Sequence, residues 1–248
     1  MGDFIPNLVW SMPLKRNLFN IFLIRESSML YRWFLLIAFV LNFNQAGFAD
    51  KMPHEFFNLY QKLDLQDKLS YEVFELSLKG FQKIKNEYDT NKSLLTIIDF
   101  SKPSTRKRLF IIDLHNKKLL YSSLVAHGRN SGEKYARKFS NRAGSLQSSL
   151  GFFITSNTYY GKHGYSLRLK GLEKSINDMA EKRTIVIHKA DYVSRDFIRR
   201  YGRLGRSWGC PALPNENAYR IINLIKEGSC LFIYGRDKEY LKKSKYIR

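Results

Sequence analysis

The residues able to do chemistry gather in Gly202–Pro214, read Gly-Arg-Leu-Gly-Arg-Ser-Trp-Gly-Cys-Pro-Ala-Leu-Pro, where three glycines and two prolines surround Cys210. Such a run describes a rigid irregular turn, which a merely structural thiol does not need. Glycine at 209 lets the backbone approach a substrate and can leave the amides of Gly209 and Cys210 aimed at one place, as an oxyanion hole requires. Arg203 and Arg206 are cations near the thiol in sequence. Either they lower its pKa and favour the thiolate nucleophile, or they hold a substrate carboxylate. A nucleophilic thiol also needs a base, and His188, 22 residues earlier, stands at the end of the apolar run Thr184–Ile187, a good exit from a sheet. Ser207 orients either the imidazole or the turn, and Trp208 is either a groove wall or core. His127, beside Gly128, and His163, between Lys162 and Gly164, either organise loops by hydrogen bonding or touch substrate.

The alternative for Cys210 is a structural thiol or a disulfide to Cys230, the only other cysteine. Two cysteines are too few for a disulfide framework or a thiolate zinc cage. Cys230 lies in Ser229-Cys230-Leu231-Phe232-Ile233, an apolar run that reads as core.

The elements that must position these groups follow from hydrophobic period. Residues 51–90 read as helical: Pro53 suits a first turn, and Phe56, Phe57, Tyr60 and Leu63 recur at helical spacing. A second stripe, Tyr71, Phe74, Leu78, Phe81 and Ile84, follows Ser70 as N-cap. The pattern then changes to short β-branched and aromatic runs: Leu94–Ile98, Leu109–Leu114, Leu119–Ala126, Gly151–Thr155, Tyr165–Leu169 and Thr184–Ile187. A short helix is expected around Val193–Tyr201. Asn215 caps another through Ile225, Gly228 ends it, and Cys230–Tyr234 is a last strand. The stretch Gly128–Gly151 is too long for a hairpin turn, and long loops in compact domains are commonly functional; it carries Arg129, Arg137 and Arg142. The fold class is mainly β, largely antiparallel, with flanking helices (α+β).

The chain has 248 residues, of which 44% are hydrophobic and 26% charged, the composition of a folded protein and not of a multi-span membrane protein. Its net charge of +20 attracts polyanions through a salt-sensitive field. Arg32 precedes an apolar run, Trp33–Phe43, of 11 residues broken only by Asn42. A bilayer span needs about 20 residues, whereas a signal-peptide core needs about 7–15. Gly47 and Ala49 provide the small residues of a cleavage site before Asp50, and Met29 is the expected true start; a retained N-terminal anchor is the alternative. The expected organisation is a signal peptide at 1–49, a helical lead-in at 50–90 and a catalytic domain at 91–248. Expected export, to the periplasm of a double-membrane cell, favours an envelope polymer over nucleic acid as the polyanion, with membrane association before signal cleavage.

The segment Ile187-His188 with Ser207-Trp208-Gly209-Cys210 resembles the L,D-transpeptidase catalytic domain (YkuD-like) family. It is most similar to the murein L,D-transpeptidase branch, in which Trp precedes the Gly. The resemblance runs from Leu94 to Gly235 through Asp99–Ser104, Val125–Gly128, Phe139–Asn141, Ser148–Gly151, Gly161–Ser166, Asn177–Asp178 and Gly205–Ala212. It implies a β-sandwich catalytic domain in which Cys210 is the nucleophile, His188 the base, and Gly209 and Ser207 parts of the catalytic turn. Arg206, Trp208, Arg203, His163 and His127 are then expected around the substrate. The implied reaction is acyl transfer through a thioester on peptidoglycan tetrapeptide stems containing meso-diaminopimelate, giving 3→3 cross-links without metal or organic cofactor. Resolution by water, an L,D-carboxypeptidase activity, and a non-catalytic peptidoglycan-binding scaffold are the alternatives. Two departures stand out. Trp208 replaces the wider family's second His, and Lys189 replaces its Gly after the first His, adding positive charge that disfavours an imidazolium.

Overall fold

The computed structural model describes residues 54–88, 90 and 93–248. The expected signal peptide at 1–49 and its cleavage before Asp50 lie outside these residues, as does Pro53. Among the described residues no helix is long and apolar enough to cross a membrane.

Residues 54–62 form helix α1, and α2 spans Tyr71–Glu87. Ser70 caps α2 as its sequence suggests, its hydroxyl accepting from the Val73 amide at 3.4 Å. Eight strands follow: β1 (Leu94–Asp99), β2 (Leu109–Asp113), β3 (Lys118–Ser123), β4 (Gly151–Gly161), β5 (Gly164–Gly171), β6 (Val186–Lys189), β7 (Ala212–Leu213) and β8 (Cys230–Tyr234). Helices α3 (Arg195–Tyr201) and α4 (Asn215–Ile225) flank β7, and α5 (Lys238–Lys243) closes the chain. All strands share one sheet in the order β3-β2-β1-β8-β4-β5-β6-β7, antiparallel except for the β1–β8 and β6–β7 pairs. Just beyond β3, Ala126 exchanges both backbone hydrogen bonds with Ala212 of β7, at 2.8 and 3.3 Å. The two layers expected of a sandwich are thus halves of one sheet curled until its ends meet. That closure brings the segment after β3 against the turn that carries Cys210.

The central strands explain why no alternation marks them in the sequence. β1, β2 and β8 are buried on both faces, as near-continuous apolar runs must be. Helix α2 packs on β1 and β8, and at Gly80 it also seats against Phe152 of β4: a Cβ there would lie 2.0 Å from that ring. Phe152 in turn stacks on Phe232 with centroids 4.3 Å apart. Behind it, the buried Glu173 carboxylate accepts from the Phe152 amide at 2.7 Å and from Ser244, while Asn177 donates to the Leu150 and Phe152 carbonyls at 2.9 and 3.0 Å. Residues between β5 and β6 therefore fasten the start of β4 to the tail.

Several local expectations are corrected. Asn215 is the first residue of α4, not its cap; Pro214 occupies the cap without a side-chain bond, and the Asn215 amide reaches Asp191 at 2.5 Å. β6 begins two residues later than the apolar run and extends one residue beyond His188, to Lys189, which pairs with Leu213 of β7. Helix α5, capped by Asp237, and the two-residue β7 carried too short a pattern to be read.

The contact at Gly80 yields a prediction with a defined sign. Alanine ordinarily gains up to about 1 kcal/mol over glycine inside a helix, but overpacking a filled core costs about 1–3 kcal/mol. Gly80→Ala should therefore lower stability by about 1–2 kcal/mol in a urea titration; a gain would mean that α2 does not seat against Phe152.

Candidate active site

Strand β6 carries His188, the candidate base, and the β6–β7 pairing places the turn of Cys210, the candidate nucleophile. His188 pairs with Ala212, and its amide donates to the Pro211 carbonyl at 3.4 Å, so the residue after Cys210 lies directly beside the His188 backbone. Cys210 and His188 line one cavity of about 530 Å³ together with Tyr159, Lys162, His163, Arg183, Trp208 and Arg206. The alternative of a disulfide is not realised: Cys210 and Cys230 are both free, and Cys230 is fully buried in β8, the core position that its apolar run suggests.

The turn holding Cys210 is built by backbone approach. Gly209 adopts φ +130°, where side chains are disfavoured, and a Cβ there would meet the Gln147 carbonyl at 2.9 Å. Gly128 lies so close that its own Cβ would stand 2.8 Å from the Gly209 Cα. Ser148 ties the two: its hydroxyl accepts from the Gly128 amide at 3.0 Å and donates to the Gly209 carbonyl at 2.9 Å. Ser207 closes the turn internally, accepting from the Gly209 amide at 3.0 Å and donating to the Cys210 carbonyl at 2.6 Å. Of the two roles open to Ser207, this is the turn and not the imidazole. The same bond corrects the expected oxyanion hole, since the Gly209 amide is already taken. The Cys210 amide faces its own sulfur.

The electrostatics at the sulfur also differ from expectation. Arg203 and Arg206 turn to Glu133, at 2.9 and 2.6 Å, and to the Leu204, Arg129 and Gly132 carbonyls. Arg206 still borders the cavity, whereas Arg203 does not. The cation that acts on Cys210 is Arg183, which sequence reasoning missed. Its guanidinium also ties the long loop through Ser140, Ser145, Gln147 and Ser149 at 2.5–3.1 Å. Its only sequence signal is its place just before the strand that carries His188. Arg129, Arg137 and Arg142 do not line the cavity. Burial pushes the Cys210 thiol up, opposed by the Val186 amide at 3.5 Å and by Arg183. The sulfur also lies 3.6 Å from the Thr184 carbonyl, to which its S–H donates.

Burial pushes the His188 imidazole down, assisted by the neighbouring His163 and opposed by the bond to Lys189. Its Nδ1 lies 2.8 Å from the Lys189 carbonyl, which fixes the proton on that nitrogen and leaves Nε2 to accept. With the thiol raised and the imidazole lowered, both groups rest uncharged. Trp208 is 70% exposed and walls the cavity, with the Lys162 ammonium 5.9 Å from its ring centroid; it is not core.

His163 reaches the site and His127 does not. His163 stacks on His188, with centroids 4.4 Å apart and planes inclined by 23°. His127 is 1% exposed and lies under the loop, so it cannot touch substrate. Its Nδ1 accepts from the buried Arg108 guanidinium at 2.8 Å and its Nε2 donates to the Gly132 carbonyl at 3.2 Å. Arg108 also donates twice to the Val125 carbonyl, at 2.9 and 2.8 Å, so this pair braces the segment that meets the Cys210 turn. Among the described residues no group of His, Cys, Asp and Glu gathers to hold a metal ion.

Residues 65–234 match the family model of the L,D-transpeptidase catalytic domain, more than half of the chain, and the protein belongs to that family. The match begins in the helical region ahead of the sheet. Solved structures that it resembles include an L,D-transpeptidase from Mycobacterium smegmatis (13% identity, TM-score 0.36, covering 58% of this chain and 59% of that one). Another is L,D-transpeptidase 1 of Mycobacterium tuberculosis (13%, 0.33, 58% and 62%). A third is an L,D-transpeptidase from Xylanimonas cellulosilytica (12%, 0.34, 58% and 61%). The chain thus spans about three fifths of the length of these structures. No curated protein matches its sequence.

His127 makes stability pH-dependent in a defined window. Burial and the Arg108 charge push its pKa down to about 3 in the folded protein, against 6.5 for the free side chain. The unfolded chain then binds the extra proton, so this contribution is complete above about 6.5 and is lost as pH falls from there toward about 3. His127→Gln, which keeps a donor and an acceptor and cannot protonate, should lose less stability than the wild type between pH 6.5 and 4 in urea titrations. Parallel curves would place His127 outside the buried network.

Proposed function

We propose that this protein is an exported cysteine acyltransferase that acts on the tetrapeptide stems of peptidoglycan and forms 3→3 cross-links. The observation that carries this reading is the joint placement of the Cys210 thiol and the His188 imidazole on one cavity in a chain of the L,D-transpeptidase catalytic domain family. Cys210 attacks the carbonyl of the third stem residue, a meso-diaminopimelate, while His188 Nε2 takes the S–H proton. The tetrahedral oxyanion accepts a hydrogen bond from the Cys210 amide. The bond to the terminal D-Ala then breaks, His188 returns its proton to the leaving amine, and a thioester remains. The side-chain amine of a second stem attacks the thioester, His188 removes its proton, and the thiol is restored as the new amide forms. Every atom is supplied by the two stems and the enzyme.

The cavity wall suits an anionic donor. Arg183, Arg206 and Lys162 border it, and the stem carries carboxylates at its D-amino-acid ends. Trp208 and Tyr159 offer flat apolar surface to the methylene arm of diaminopimelate. The export and the periplasmic setting belong to the same proposal, because the substrate lies outside the cytoplasmic membrane.

The test is mass spectrometry of residues 50–248, wild type and Cys210→Ala, incubated under reducing conditions with disaccharide tetrapeptide. Cys210-dependent release of D-Ala together with a 3→3 dimer is expected. A tripeptide monomer without dimer identifies water as the acceptor and a carboxypeptidase. Unchanged substrate with folded, reduced wild type overturns the reading in favour of a non-catalytic scaffold.

A further inference from the structure

The hairpin joining β4 to β5 turns in two residues, Lys162 and His163, between the paired Gly161 and Gly164. Gly164 has φ +74°, which permits so tight a return. Two residues further on, Ser166 pairs with His188, so the register of β5 on β6 carries the hairpin tip over the face of the base. Both tip residues land on the catalytic surroundings: His163 on the His188 ring and Lys162 over Trp208, two residues before Cys210.

The two contacts on His188 do different things. The bond from Nδ1 to the Lys189 carbonyl fixes which nitrogen accepts and pins one edge of the ring. It leaves the ring free to tilt about that edge. His163, lying nearly parallel at 4.4 Å, stands in the way of that tilt. From these contacts we infer that His163 is the positioning residue for the catalytic base, holding His188 Nε2 toward the Cys210 sulfur. This inference rests on the acyl-transfer reading for the role of His188 and extends it to a residue on a different strand pair.

The arrangement also has an electrostatic sign. A proton on His163 places a cation against the ring that must become an imidazolium during attack, and so opposes protonation of His188. The other charged and titratable groups around the pair are Lys162 on the same turn, Lys189 beside Gly164, Tyr159 on β4, and Arg183, Tyr192, Arg206 and Cys210 across the cavity. Of these neighbouring charges, it is that of His163 that pushes the His188 pKa down, after burial.

Two variants separate ring from charge: His163→Ala removes both, and His163→Phe keeps a flat ring without a charge. Three readouts are needed: stem-peptide kinetics against pH, the NMR titration of the His188 imidazole, and the rate at which iodoacetamide alkylates Cys210. The proposal predicts that His163→Ala lowers kcat by about 10- to 100-fold, since a displacement of about 1 Å costs on the order of 10²-fold, with KM little changed. Cys210 alkylation slows in parallel. His163→Phe retains most of kcat, while its acid limb and its His188 titration both move to higher pH. Wild-type kcat and an unmoved His188 titration in His163→Ala overturn the proposal. Equal losses in both variants with the wild-type His188 titration also overturn it, because they mark a substrate contact. Absence of stem turnover in the wild type would overturn the acyl-transfer reading alone, since titration and alkylation need no substrate.

Discussion

The site depends on a close backbone approach: Gly128 against Gly209, with Ser148 hydrogen-bonded to both. No side chain fits between them, so the Cys210 turn is located by main-chain atoms that have nowhere else to go. Everything that sets this approach lies at a distance along the chain. Closure of the curled sheet at Ala126 and Ala212 brings the two segments together. Arg108 and His127 hold one from beneath, and Arg183 holds the long loop that supplies Ser148. Ser207 then spends its hydroxyl within the turn, giving Cys210 a fixed direction.

With position settled in this way, charge is left to decide reactivity. The thiol is half-buried among apolar and aromatic walls, and desolvation penalises its anion more than the Val186 amide and Arg183 relieve it. His188 is penalised in the opposite sense by the same burial. Both shifts favour the uncharged partners, so the pair waits as thiol and imidazole. In the proposed reaction, exchange of the proton creates charge only when a carbonyl is present to accept the attack. Such a site guards its sulfur from adventitious electrophiles, and it makes the orientation of His188 Nε2 the quantity that counts.

Much of this was legible in the sequence because it was written locally. The Gly-rich turn around Cys210, the strand ending near His188, the Ser70 cap and the apolar run of Cys230 each follow from a few neighbouring residues. What stayed illegible was assembled across the fold. Arg183 stands in the charged run Glu181-Lys182-Arg183 and looks like any solvated residue until the loop from Ser140 to Ser149 wraps it. Conversely, Arg203 and Arg206 are neighbours of Cys210 in sequence yet face Glu133, because adjacency in an irregular turn says nothing about direction. His127 illustrates a further limit. A histidine beside a glycine gives no hint that a buried arginine will claim its Nδ1 and hold it neutral.

The central claim, a resting thiol beside a neutral imidazole, is tested most directly by the pH dependence of Cys210 alkylation in the protein with Cys230 replaced by serine or alanine. The account predicts that the rate rises with an apparent pKa above the ordinary thiol range, with no plateau at neutral pH. A pH-independent plateau extending below pH 7, the signature of a preformed thiolate–imidazolium pair, would contradict it.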